Sequence, residues 1–239
     1  MRTALAIAPV ISLILAIAHL AIAILLPIPA AQAQTATVSC AAITIITARG
    51  TSEEPGEGRL ASIASDLANE CQNSKRIALD YPADLFPYSL SLYKGIQALT
   101  GLLNTSVSSC PQSKIVLLGY SQGAHVIGNV LCGGAFAERA VDRTIADKVS
   151  AIIFMADPRH VPGKSFDVGS STRSGLFPRP DSEACDAYAS RMRSYCDSGD
   201  PVCDSGFDRE VHSAVVEKYR SYAVAFVIFM DTPCIVNVS

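Results

Sequence analysis

Short apolar runs of two different periods alternate along most of the chain. Ala41 to Ala48 (AAITIITA) is a compact β-branched run closed by Arg49-Gly50, which predicts a buried strand feeding a loop. A polar, glycine-bearing segment from Thr51 to Gly58 follows, then a helical pattern to about Cys71, and Lys75 to Tyr81 reads as a second strand stopped by Pro82. Ser89 to Val107 has apolar positions at mixed three- and four-residue spacing, the stripe of an amphipathic helix. Lys114 to Leu118 predicts another buried strand, and Gly119 to Gly123 turns it directly into a helix reaching Cys132. Val149 to Met155 and the short Met192 to Tyr195 predict the remaining strands, and His212 to Met230 a closing helix. Arg159 to Asp186, rich in Pro, Gly and Ser, reads as loop. Strands alternating with helices imply an α/β fold with a mostly parallel sheet covered on both faces.

The apolar run from Ala4 to Leu26 does not belong to that pattern. It contains no charge, follows Arg2, and ends at Pro27 and Pro29 ahead of Ala31-Gln32-Ala33, a small-x-small signal. This reads as a signal peptide over residues 1–33 followed by a single domain over 34–239, although the run is long enough to span a bilayer and a retained anchor is the alternative. The eight cysteines, Cys40, Cys71, Cys110, Cys132, Cys185, Cys196, Cys203 and Cys234, all lie beyond that point, as disulfides in an oxidising compartment would. None has the paired spacing of a zinc site, so no metal is expected. A net charge of −3 without a Lys/Arg cluster argues against nucleic acid as a partner. The sequon at Asn104 agrees with export; the one at Asn237 is too close to the end to count.

Candidate chemistry sits between the third predicted strand and its helix. Gly119-Tyr120-Ser121-Gln122-Gly123 is a Gly-x-Ser-x-Gly with a strand before it and a helix after it, the context that makes Ser121 a nucleophile raised on a sharp turn. Its base must be a histidine. His19 leaves with the leader, and His125 is one turn along the same helix and cannot readily swing back. His212 follows Asp200 and so gives the order Ser, Asp, His, while His160 in the loop competes. For the acid, Asp200 lies between Cys196 and Cys203, which if paired would make CDSGDPVC a rigid clip. Asp157 at a strand end is the rival, and Asp197 reads as a solvated loop residue.

These residues occur together with ARGTSEEPG from Ala48, YP at Tyr81, GYSQGAHV from Gly119, LCGG from Leu131, IFMADPR from Ile153, SYCDSGDPVC from Ser194 and VH at Val211. In that order the chain resembles the cutinase and acetylxylan esterase family of secreted serine esterases. The resemblance implies a three-layer α/β/α sandwich around a five-stranded parallel sheet and no cofactor. It implies Ser121, Asp200 and His212 as nucleophile, acid and base, and an oxyanion hole of Thr51 and the Gln122 amide. It implies disulfides Cys40 with Cys110, Cys132 with Cys185 and Cys196 with Cys203, and leaves Cys71 and Cys234 unassigned. Acetylxylan esterases carry further cysteines where this chain has Ala83 and Asp204.

The implied substrate is an ester of a cell-wall polysaccharide or polyester, hydrolysed outside the cell by a monomer with no stable membrane partner. LCGG, IFMADPR and the short step from Asp200 to His212 favour acetyl groups on xylan. Val202 and the Leu85-Phe86-Pro87-Tyr88 segment, a possible apolar rim, favour the longer chains of cutin. A catalytically silent secreted wall binder is the rival of a different class.

Overall fold

A computed structural model describes residues 39–137, 140–230 and Cys234, so the apolar leader, His19 and the Asn237 sequon lie outside the described residues. The strands are β1 (Ile43–Ala48), β2 (Ser74–Ala78), β3 (Lys114–Tyr120), β4 (Val149–Met155), β5 (Asp167–Val168) and β6 (Met192–Tyr195). They form one sheet in the order β2-β1-β3-β4-β6-β5 with every neighbouring pair parallel. The helices are α1 (Ala61–Glu70), α2 (Tyr88–Ser109), α3 (Gln122–Cys132), the short α4 (Arg143–Ala146) and α5 (Arg209–Met230).

The sheet has six strands and not five. The additional one, β5, lies inside the segment read as loop, and two residues without alternation leave no periodic signal to find. Backbone bonds to β6, such as Cys196 N to Val168 O at 2.9 Å, hold it at the edge.

Alternation along the central strands builds two cores. Ile46 of β1, Ile115 and Leu117 of β3 and Ile152 and Phe154 of β4 face α2 and α3. Ile43 and Ile45, Val116 and Leu118, and Ala151, Ile153 and Met155 face α1 and α5. Leu117 and Leu118 are wholly buried on opposite faces, so truncating either to Ala should cost about 2–5 kcal/mol.

The chain runs outward to β2 from β1 in one direction and to β3 and β4 in the other. At such a switch point the loops leaving the two strands diverge and open a crevice at their carboxyl ends. Here those loops carry Thr51 after β1 and Ser121 after β3.

Disulfides join Cys40 to Cys110, Cys132 to Cys185, Cys196 to Cys203 and Cys71 to Cys234. The last pair, which the sequence leaves open, ties the residue capping α1 to the chain beyond α5.

Candidate active site

The turn after β3 is forced by its neighbours. A Cβ on Gly119 would lie 2.7 Å from Ala124 Cα, and one on Gly123 only 1.9 Å from the Ala48 carbonyl oxygen, so both positions exclude a side chain. Between them Ser121 takes φ 53° and ψ −118°, a conformation that costs a non-glycine residue about 1–3 kcal/mol. Packing of β3 and α3 maintains it: the Ser121 amide donates to Met155 O of β4 at 2.8 Å, and the Ser121 carbonyl accepts from the Ala124 amide at 3.0 Å. Gln122 is the first residue of α3, where backbone N–H groups lack partners within the helix and point forward.

Ser121 and His212 line one cleft of about 1200 Å³, together with Thr51, Tyr120, Pro201 and Val202. His212 occupies the first turn of α5, its ring lying over Tyr120 at 5.2 Å between centroids. Its Nδ1 is 2.9 Å from Asp200 Oδ2 and 3.1 Å from Oδ1. An ionised carboxylate can only accept, so Nδ1 carries the proton and Nε2 is left free to take one.

Asp200 is completely buried and also accepts from the Val202 amide at 2.6 Å and the Cys203 amide at 3.1 Å. The Cys196–Cys203 disulfide closes the loop around it.

A second aspartate steadies the same loop. Asp204 is fully buried and accepts from the Gly199 amide at 2.8 Å, from Ser171 Oγ at 2.6 Å and from Arg173 at 2.9 Å. Burial alone would raise its pKa, but these bonds outweigh it and hold the carboxyl well below the usual range.

Asp197 corrects the sequence reading. It is not solvated: it is 6% exposed and takes bonds from Lys218 at 2.6 Å, Tyr219 at 2.9 Å and Ser170 at 3.0 Å. It anchors the clip to α5, and a single carboxylate in a polar loop gave no pattern from which those partners could be read.

Thr51 also lines the cleft and follows Gly50 in a turn held by two devices. The Glu53 carboxylate accepts from the Gly50 amide at 2.6 Å and the Arg59 amide at 2.9 Å. Arg49, 3% exposed, donates to the carbonyls of Glu53 at 2.8 Å and Tyr81 at 2.6 Å, so it binds the β1 loop to the segment after β2. The Gln122 side chain is fixed too. Its Oε1 accepts from Ser91 at 2.8 Å and its Nε2 donates to Asp84 O at 3.0 Å. Sequence reasoning missed Arg49, Glu53 and Ser91 as supports; only the ARGTSEE run pointed toward the first two.

The rival residues lie elsewhere. Asp157 is buried, its carboxylate receiving the Arg159 amide at 2.9 Å and standing 3.8 Å from Arg179. Arg179 in turn lies on Gly128 of α3, where a Cβ would fall 1.8 Å from its guanidinium. His160 lines a separate cavity of about 20 Å³. His125 is buried with Nδ1 3.0 Å from the Tyr88 hydroxyl, as a polar neighbour in the packing. Of the Leu85-to-Tyr88 segment, Leu85 and Tyr88 line the cleft that holds Ser121 and His212, while Phe86 projects outward at 89% exposure.

The chain matches the family described as Cutinase over residues 39–230. It is 34% identical to acetylxylan esterase 2 of Talaromyces purpureogenus over 203 residues, covering 79% of this chain and 86% of that protein. It is also 32% identical to cutinase 11 of Verticillium dahliae over 203 residues, covering 79% and 68%. Among solved structures it is similar to the catalytic core domain of acetyl xylan esterase from Trichoderma reesei. That structure has a TM-score of 0.75 and 33% identity, with 81% of this chain and 100% of that one covered.

Proposed function

The chain belongs to the cutinase family and is a serine carboxylic ester hydrolase, and we propose that it is a secreted deacetylase of cell-wall polysaccharide using Ser121, His212 and Asp200. The observation that carries the assignment of roles is the bond from His212 Nδ1 to the buried Asp200 carboxylate, beside a cleft that Ser121 shares. His212 Nε2 takes the Ser121 proton as Oγ attacks the ester carbonyl, and Asp200 stabilises the imidazolium that results. The Gln122 amide at the start of α3 and Thr51 across the cleft stabilise the oxyanion. His212 then gives its proton to the departing alkoxide, and water, deprotonated by the same ring, clears the acyl-enzyme.

Export is supported by the leader pattern ending at Ala33 and by four disulfides, the chemistry of an oxidising compartment. The catalytic domain then begins at residue 34. An acetyl preference is supported by the two relatives named acetylxylan esterase, at 34% and 35% identity. A second reading, hydrolysis of longer acyl esters, is favoured by Leu85, Leu176 and Phe177 on the cleft, all large and exposed.

The test is a hydrolysis panel of p-nitrophenyl esters of graded acyl length together with acetylated xylan and a cutin-type polyester. Activity peaking from acetyl to butyryl, with acetate released from xylan and all of it lost in Ser121→Ala, is the expected result. Each buried methylene contributes about 0.8 kcal/mol, so a working acyl groove would instead give rates rising to about eight carbons. That outcome without acetate release overturns the acetyl assignment. A folded, active Ser121→Ala enzyme overturns the nucleophile.

A further inference from the structure

We propose that the cleft holds a carboxylate-binding subsite, formed by Arg209 and Arg59, on the side where the alcohol half of the ester departs, so that the alcohol is an acidic, uronate-bearing polysaccharide. This rests on the acyl-transfer reading above and adds the chemistry of the alcohol to it.

The cleft is divided in character. Leu176 and Val202 are joined by a backbone bond of 2.9 Å, and Phe177 packs on Tyr88 at 5.8 Å between ring centroids, so these apolar lining residues are contiguous. Arg59, Arg209, His212 and Ser213 also line it, with the Arg59 guanidinium 3.3 Å from the Ser213 carbonyl.

Direction follows from the proton. His212 must return its proton to the alkoxide, so the alcohol oxygen lies at Nε2 and the rest of the alcohol passes over the first turn of α5. Arg209 precedes His212 by three residues on that helix and therefore shares its face. The group the alcohol meets next after the catalytic ring is a guanidinium.

Both cations are available. Arg209 is exposed and makes no ion pair among the described residues. Its neighbour Asp208 is occupied as the cap of α5, Oδ1 accepting the Glu210 amide at 2.9 Å. Arg59 is 51% exposed, and the acid paired with it among the described residues, Glu53 at 3.8 Å, already accepts two backbone amides. Among the described residues that line the cleft, the two guanidiniums face one carboxylate, the committed Glu53, which leaves a positive surface where the alcohol emerges, and guanidinium binds carboxylate in paired hydrogen bonds.

Exposed ion pairs are individually weak, so the expected preference is about fivefold to tenfold and it fades with salt. The experiment compares kcat/KM for 3-acetoxybenzoate and its methyl ester, each normalised to its alkaline hydrolysis. A second pair, p-nitrophenyl hemisuccinate and p-nitrophenyl butyrate, places the carboxylate on the acyl half. The wild-type enzyme should favour the acid of the first pair only, and Arg209→Glu should invert that ratio; Arg59→Gln should reduce it. Equal rates for the first pair, or a ratio unmoved by Arg209→Glu, overturns the subsite. A gain on the second pair alone also overturns it, by assigning the arginines to the acyl half. Failure to cleave either acetoxy compound would refute the acyl-transfer reading itself and is thereby distinguished from failure of the subsite. Acetate release from glucuronate-bearing xylan above that from neutral acetylated xylan is the polymer form of the same result.

Discussion

Two of the described histidines stand beside an aspartate, and the pairs are built differently. His212 Nδ1 is 2.9 Å from Asp200, with the histidine side chain 18% exposed on the cleft and the aspartate 1% exposed behind it. His160 Nδ1 is 3.6 Å from Asp167, and there the exposures are reversed, at 3% for the histidine and 17% for the aspartate. Asp200 is held by two amides inside a disulfide loop, whereas Asp167 stands on the two-residue strand β5 and has its Oδ1 without a hydrogen-bond partner among the described residues. Burial raises the Asp167 pKa despite the opposing pull of His160. Residue types alone therefore do not make a catalytic pair. The carboxylate must be rigid and dry, and the imidazole must present its far nitrogen to a space a substrate can enter.

The sharpest way to break that contrast is to remove each ring in turn. His212→Ala should lower kcat/KM on p-nitrophenyl acetate by about 10⁴-fold with the fold retained by circular dichroism. His160→Ala should stay within about fivefold in kcat/KM while losing stability, since it vacates a packed interior position. A large activity loss in His160→Ala with an active His212→Ala would reverse the assignment. The carboxylates should follow their rings at a smaller scale. Asp200→Asn, which offers the wrong partner to Nδ1, is expected to cost about 10³-fold in kcat, and Asp167→Asn less than about threefold.

How far the sequence reached is visible in the same two pairs. Periodicity located β1, β3, β4 and their helices because each carries several apolar residues in register, while the Gly-x-Ser-x-Gly context, the cysteine clip and the order along the chain made Ser121, Asp200 and His212 the candidates, of which Asp200 and His212 lie in contact. What it could not see were contacts that close only in three dimensions. The Arg49 guanidinium spans to Tyr81, 32 residues on, and Ser91 reaches Gln122 across 31 residues, with no local spacing to mark either. The β5 strand is too short to have a period, and Asp197 looked solvated because its partners Lys218 and Tyr219 come from the other end of the chain.

Rigidity of the acid loop is the next point at which the contrast can be sharpened. Replacing both Cys196 and Cys203 by Ser removes a small-loop crosslink worth about 2–3 kcal/mol, and the loss should appear first in kcat, by about tenfold, because Asp200 takes its position from that loop. Asp204→Asn should have a similar sense and smaller size, since the Cys196–Cys203 bond still closes the loop. Unchanged kcat in the double serine variant, at a temperature where it remains folded, would show that Val202 and Cys203 amides suffice to hold the carboxylate.

The third described histidine supplies the limiting case, a ring with no carboxylate partner among the described residues. Burial first, then the positive charges of Arg179 and Arg159, lower the His125 pKa to about 3. In the unfolded chain the ring would titrate near 6.5. The unfolded state therefore binds the extra proton between those values, so His125 favours folding fully above about pH 6.5 and progressively less as pH falls toward about 3. The slope approaches about 1.4 kcal/mol per pH unit within that window. Asp204 acts in the same direction but only below the ordinary carboxylate value of about 3.9, so the interval from about pH 6.5 to 5 separates the two. Urea unfolding of wild type and His125→Gln at the ends of that interval should show the wild type losing about 1–2 kcal/mol more than the variant. Glutamine does not titrate, yet it can still accept from the Tyr88 hydroxyl, so any loss shared equally by both proteins belongs to other groups. Parallel acid sensitivity in the two would mean that His125 is protonated in the folded state, and that the buried arginines beside it are farther from the ring or better neutralised than their positions here require.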